Sequence, residues 1–377
     1  MFIKEIKARR ILDSRREPTI EVTINSSSAS SPSGKSKGKY ETPSYHKSLN
    51  WNINVINNLE EIKIFPIISF QDLSLIETII KDKFKLKDAK QFGANALYAL
   101  ESAILKALAK EQNKELWEII NPKAKKVPIP LGNVVGGGLH SHNKNAPIFQ
   151  EFLIIPQKKT IKENYRLMKD IHSHLQAVLH SEKMNDEGAW ETSLTIEQIL
   201  GILKNFKEIR IGIDIASSIF YKNGKYKYKN FSLSQKQQID YINGLIKAYN
   251  LLYIEDPINE EDFHGFSQIK KSSLVAGDDL TTTHIGRLQK AIKNKSINAM
   301  IIKPNQNGSL LELSEIIKLC KKHNIKTIFS HRSGETLDTA IADYAFAFQT
   351  DFIKCGIATK YRKGKLKRLI EIEKSLR

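Results

Sequence analysis

The sequence predicts an α/β protein whose C-terminal part closes into a β/α barrel. Short β-prone runs recur from Ile209 to Lys354, each stopping on a polar or charged residue. After a first gap of roughly 40 positions they return at intervals of roughly 23 to 28, about the length of a strand plus a covering helix. Helix-period stretches fill the gaps at Gln238–Tyr249, Ile285–Lys293 and Leu310–His323. Such alternation points to a parallel sheet, and this many similar units favours closure.

In chain order, residues 2–12 and 18–25 read as two strands joined by a turn at Asp13–Pro18. The second alternates Ile20, Val22 and Ile24 with Glu21 and Thr23, so one face is buried. Ser26–Lys39 is rich in Ser, Gly and Lys and reads as a linker or a mobile functional loop. Asp72–Lys81 and Ala94–Gln112 read as helices, the second with Leu97, Leu100, Ile104 and Leu108 on one face. Asn121–Pro130 breaks every pattern, dividing the chain into domains 1–126 and 127–377. Beyond it, Asn133–His140 reads as a Gly-rich turn, a weak signal for phosphate binding. Gln150–Pro156 reads as a strand with Glu151 at its start, Asn164–His180 as a helix, and Met184–Trp190 as an acidic turn carrying Glu187.

The runs end on Asp214, Glu255, Asp278 with Asp279, Lys303, His331 and Lys354. Barrel sites lie at the C-terminal ends of strands, so these groups should share one mouth. Three carboxylates suit a hard cation such as Mg²⁺, and two lysines suit a base and an anion clamp. Any one of these residues alone is equally well a solvated surface charge; together they make a site.

At 377 residues the chain is long enough for two or three domains and a sizeable core. Its 41% apolar and 27% charged content is that of a soluble globular protein. The net charge of +18 is unusual, with basic density at Lys35–Lys39, Lys123–Lys126 and Arg362–Arg368. That surplus favours anionic ligands and non-specific nucleic-acid adhesion, but no nucleic-acid recognition motif accompanies it. Cys320 and Cys355 have no metal-ligand spacing, which points to a reducing, cytoplasmic setting. The first residues lack a secretory signal's apolar core, and no run is long enough to span a bilayer.

Together these phrases resemble enolase from the first strand to the last helix. Ala8–Arg15 with Pro18–Val22 is similar to the family's opening, and Ser33–Glu41 to its mobile loop. Ser330-His-Arg-Ser-Gly-Glu-Thr336 is the most specific match. Asp214–Tyr226, Ile254–Pro257, Gly277–Thr281 and Lys303–Gly308 also fit. The resemblance implies an enolase-type β/α barrel with some antiparallel strands, capped by a small N-terminal α+β domain whose mobile loop lies near 30–41. It implies reversible dehydration of 2-phosphoglycerate to phosphoenolpyruvate. Asp214, Glu255 and Asp278 would hold the catalytic Mg²⁺, and Ser36 a second Mg²⁺ arriving with substrate. Lys303 would take the C2 proton, and Glu187, kept protonated beside Glu151, would protonate the leaving hydroxyl. His331 and Lys354 would line the pocket, and Arg332 with Ser333 would grip the phosphate. His140 and His142 compete for one pocket role, and His140 is preferred because it follows the Gly-Gly-x-His pattern. A homodimer or larger homo-oligomer is expected.

Several positions depart from the family. Arg16-Glu17 replaces Gly-Asn, Ala189 replaces a glycine just after Glu187, and the loop gains Lys35 and Lys37. An enolase-derived protein that binds RNA or another anionic partner is therefore the alternative reading.

Overall fold

The computed structural model describes residues 1–35 and 38–376. Its N-terminal region begins with an antiparallel meander of β1 (Ile6–Leu12), β2 (Pro18–Ile24) and β3 (Ser27–Ser30). Ile20, Val22 and Ile24 are fully buried, as their alternation requires. They pack in one core with α3 (Ala94–Glu111), whose alanines keep that face low. β3 falls inside the stretch read as a loop, because Ser-Ser-Ala-Ser carries no apolar period. Backbone pairing to β2, from Glu21↔Ser30 to Ile24↔Ser27, fixes it instead. β1 begins at Ile6 rather than Phe2.

Helix α1 (Leu49–Asn57) is missing from the sequence reading, since its asparagines blur the helical period. The Ser48 side chain caps it, accepting from the Trp51 amide. α2 (Leu73–Phe84) follows the predicted segment closely. Arg16 adopts a left-handed φ of 66°, a conformation more natural to the glycine it replaces.

Eight strands close the barrel: β4 (Ile129–Gly136), β5 (Glu151–Pro156), β7 (Ile209–Asp214), β11 (Tyr253–Glu255), β12 (Leu274–Gly277), β13 (Ala299–Ile302), β14 (Lys326–Ser330) and β15 (Phe352–Lys354). β15 pairs back onto β4 to complete the ring. The short β6 (Trp190–Glu191) adds to the outside of β4, and β8 to β10 (Tyr221–Lys222, Lys225–Lys227, Ser232–Leu233) form a separate meander. The barrel pairings are parallel except at β5, which runs antiparallel to both β4 and β7. Glu151 therefore begins its strand at the end where the other site residues finish theirs, in register with Asp214.

β4 takes the last two residues of the boundary segment and the first half of the stretch read as a Gly-rich turn. Two prolines and the glycines hide its pattern, but Leu131, Val134 and Val135 are fully buried. The glycines here serve close packing. A Cβ on Gly137 would lie 2.3 Å from the Phe149 carbonyl oxygen and 2.4 Å from that of Pro147. Gly188 alone takes the positive φ of the turn after Glu187, at 81°, so Ala189 fits without strain.

Leu131, Leu153, Ile155, Tyr253, Ala276, Ala299, Ile301 and Ile328 form a buried apolar cluster contributed by the barrel strands. Polar and charged residues gather at the opposite ends of those strands. Among the described residues no helix is long and apolar enough to cross a membrane.

The two regions meet where Gly308 lies against Ala94 at the start of α3. Gly308 has φ 99°, and a Cβ there would lie 2.7 Å from the Ala94 Cα. Gly308→Ala is expected to destabilise the protein by about 2 kcal/mol or more, since strain and backbone clash add. A lower urea midpoint than wild type checks this; an unchanged midpoint means the interface yields there.

Candidate active site

The mouth of the barrel is a cavity of about 310 Å³. His140, Glu151, Glu187, Asp214, Asp278, Lys303, His331, Arg332, Ser333 and Lys354 all line it. Glu255 is fully buried directly beneath these groups, bound to Lys354. His142 lies outside, its side chain largely exposed against Glu191, so the structure puts His140 and not His142 at the mouth. Ser36 lies outside the described residues.

Lys354, ending β15, is the hub. Its Nζ lies 2.7 Å from Glu255 Oε2, 2.9 Å from Asp214 Oδ2 and 3.1 Å from Glu151 Oε2. Three strands in register bring those acids together: Glu151 opposes Asp214, and Asp214 opposes Glu255. Lys354 is held well above the ordinary lysine range; burial alone would lower it, but Asp214, Glu151 and Glu255 outweigh burial. Glu255 is pushed up to about 8 by burial and the Asp214 charge, with Lys354 opposing. Tyr253 donates to Glu255 Oε2 at 2.5 Å.

Across the mouth, Lys303 pairs with Asp278. It is extended (φ −117°, ψ 101°), the geometry that Pro304 favours for its predecessor. Burial would lower the Lys303 pKa, but the Asp278 carboxylate raises it above the usual value. The Asp278 carboxylate thus favours the ammonium form of Lys303.

The third group is Glu187 with its histidines. Glu187 Oε2 lies 3.7 Å from His140 Nδ1, 3.9 Å from His331 Nε2 and 3.3 Å from the Asn133 amide that donates to it. Burial pushes Glu151 well above the usual carboxyl range, aided by Glu187, Asp214 and Glu255 against Lys354. Burial acts the same way on Glu187, yet nearby positive charge holds it well below. Burial also lowers His140 and, more strongly, His331, so both rings are neutral at neutral pH. Against burial, His140 and His331 and then Arg362 and Lys354 lower the Glu187 pKa. Burial and the acids around it favour the protonated form of Glu151, whereas the positive groups facing Glu187 favour its ionised form.

Sequence reasoning missed several residues of the site. Asp256 follows Glu255, and strand alternation would send it to the other face. A left-handed turn (φ 40°) returns it to the mouth, where its carboxylate accepts the Asp278 amide at 3.0 Å and the Asp279 amide at 2.7 Å. Gln150 lines the cavity and donates to Asp214 at 3.4 Å. Arg362 looked like part of a basic surface run. It is instead fully buried, donating to His331 Nδ1 at 2.9 Å and to the carbonyls of Asp186, Arg332 and Ser333. Only its burial, invisible in composition, marks it.

Acidic oxygens suited to a hard cation gather in this mouth. Those of Asp256, Asp278 and Asp279 lie within 4.8 Å of one another, and Glu255 Oε1 is buried without a partner among the described residues. Asp214 and Glu255 share Lys354, while Asp278 sits across with Lys303, so each expected metal ligand now faces an ammonium group. Carboxylates in numbers that an ammonium only partly neutralises fit Mg²⁺ by charge and by donor type.

A β/α barrel whose mouth joins these acids to two lysines, two histidines and an arginine defines a metal-assisted enzyme acting on a small anion. The family model "Enolase, N-terminal domain" matches residues 3–120, and "Enolase, C-terminal TIM barrel domain" matches 124–377. The enolase of Methanocorpusculum labreanum is 36% identical, over 98% of this chain and 98% of its own. That of Picrophilus torridus is 35% identical over 99% of each chain, and that of Sulfurisphaera tokodaii 36% over 98% and 95%. The chain belongs to the enolase family, magnesium-using carbon–oxygen lyases of glycolysis.

Removing the hub has a calculable consequence. Lys354→Met leaves three buried carboxylates without their cation and is expected to cost about 3 to 5 kcal/mol. A carboxyl raised in the folded state stabilises most below its unfolded pKa, and that contribution is lost as pH rises through the folded value. Glu255, at about 8, already behaves so. The variant should therefore lose stability more steeply than wild type between about pH 5 and 8, measured by urea unfolding. Parallel pH profiles would show that Lys354 does not compensate these acids.

Proposed function

We propose that this mouth interconverts 2-phosphoglycerate and phosphoenolpyruvate, with Lys303 as the base at C2 and Glu187 as the acid at the departing hydroxyl. The observation that best supports this reading is that both residues line one cavity with Arg332, Ser333 and Lys354. Asp214, Glu255 and Asp278 would hold the catalytic Mg²⁺, and Ser36 a second ion that arrives with substrate. When bound, such a cation supplies positive charge to the substrate carboxylate, whose own charge grows as C2 loses its proton.

The chain's own groups divide the remaining work. With the Asp278 charge taken up, burial dominates at Lys303 and favours the neutral amine needed as a base. A phosphorylated carboxylate near Glu187 raises that carboxyl's pKa, which transfers the acidic role to it once substrate is present. His140 lies 3.7 Å from both Glu151 and Glu187, while Arg362 orients His331. Arg332, buried and planar, offers a phosphate a geometry that lysine cannot. No observation favours the nucleic-acid reading. Arg362 and Lys365 of the C-terminal basic run are buried, and Arg368 pairs with Asp343 and Glu115.

Isotope exchange separates the two central roles. Lys303→Ala should abolish exchange of the C2 proton with deuterated solvent, whereas Glu187→Gln should retain exchange and lose dehydration. Equal loss of exchange in both variants contradicts the assignment.

Metal binding is read through stability as well as rate. Mg²⁺ at a hundredfold excess over its Kd should stabilise wild type by about 2.7 kcal/mol. Asp278→Asn should lose most of that protection together with activity, while keeping the wild-type circular dichroism. Full protection by Mg²⁺ in the variant removes Asp278 from the ligand set.

A further inference from the structure

Arg332 does not stand alone at the mouth. Its terminal nitrogen Nη2 donates to Glu41 at 2.9 Å (Oε2) and 3.1 Å (Oε1), and Nη1 donates to Asn305 Oδ1 at 3.1 Å. Both side chains of the ion pair are buried, Arg332 exposing 4% and Glu41 7%. Glu41 comes from the N-terminal region and Arg332 from the loop after β14, so this ion pair crosses the interface between the two.

Two features decide what Glu41 does there. Both of its oxygens address Nη2 and Asn305 takes Nη1, leaving Nε–H and one Nη1 hydrogen as the donors for an oxyanion. Glu41 is itself tethered: the Gly38 amide donates to Oε1 at 2.9 Å and Gln306 Nε2 at 3.3 Å. Gln306 Nε2 also reaches Asp278 Oδ1 at 3.2 Å, joining this ion pair to the acidic side of the mouth. On the far side Asn305 is fixed by Asn95 at 2.9 Å and by the Pro32 carbonyl at 3.0 Å. A carboxylate held by three donors is built to stay in place.

We propose that Glu41 is a positioning residue: it fixes the Arg332 guanidinium so that its remaining N–H groups meet the substrate phosphate, and it remains bound while substrate is present. The inference rests on the reading of Arg332 as the phosphate grip. Glutamine cannot replace Glu41, because all the groups around that carboxylate are donors and an amide nitrogen would face one of them.

A double-mutant cycle with steady-state kinetics tests this. Glu41→Gln should raise KM for 2-phosphoglycerate about tenfold or more with kcat changed far less, and should weaken inhibition by inorganic phosphate in proportion. Adding Glu41→Gln to Arg332→Lys should then change KM by less than about twofold, because the two act as one unit. Glu41→Asp, which keeps the charge, should fold even if the glutamine variant does not and should lie between it and wild type. A lower KM with tighter phosphate inhibition in Glu41→Gln would make Glu41 a plug that substrate displaces, overturning the proposal. Multiplicative losses in the double variant would overturn it too, by placing Glu41 outside the action of Arg332. If wild type itself turns over no 2-phosphoglycerate, the proposed function fails, which is a different result from any of these.

Discussion

One buried ammonium group organises this protein. Lys354 sits within 3.1 Å of carboxylate oxygens from three strands that are distant in sequence. None of these charges is tolerable alone at such depth, because removing either sign from water costs several kcal/mol unless the other is in contact. Their coexistence needs β15, β7, β11 and the reversed β5 all at their observed registers. The ring therefore specifies a single closure as well as a charge arrangement. A slip of one residue in any of these strands would turn its acid to the opposite face.

From that hub the mouth divides into regions of different chemistry. One side concentrates acids around Lys354 and Lys303, where a divalent cation would relieve charge that two lysines only partly balance. Another sets Glu187 between two neutral histidines under the field of Arg362 and Lys354. The third presents Arg332 and Ser333. This separation keeps Lys303, Glu187 and Arg332 in one small cavity, each among its own counter-charges.

Much of this was legible because its signals were local. Strand ends at Asp214, Glu255, Asp278, Lys303, His331 and Lys354 follow short β-prone runs, and all of them reach the mouth region. What stayed hidden depended on burial or backbone. β3 lacks an apolar period and exists through pairing to β2. β4 is masked by prolines and by glycines that close packing demands. Asp256 enters the mouth only through a left-handed turn, which a period of two does not reveal. Arg362 and Lys365 sit in a run that composition marks as surface, yet both are buried, satisfying main-chain carbonyls. Glu41 belonged to a recognisable loop, but its partner lies far along the chain and only the folded interface pairs them.

The N-terminal region accordingly does more than cover the barrel. It contributes Glu41 to the ion pair with Arg332, and the Lys35 amide donates to Ser333 Oγ at 2.7 Å. The site is complete only with both regions in place. The most direct test of the account is the ultraviolet absorbance of phosphoenolpyruvate after 2-phosphoglycerate is added to the purified protein, with Mg²⁺ and then with excess EDTA. A steady rise that EDTA abolishes and restored Mg²⁺ recovers is the expected result. No rise with Mg²⁺ present, from protein whose circular dichroism shows it folded, would contradict it.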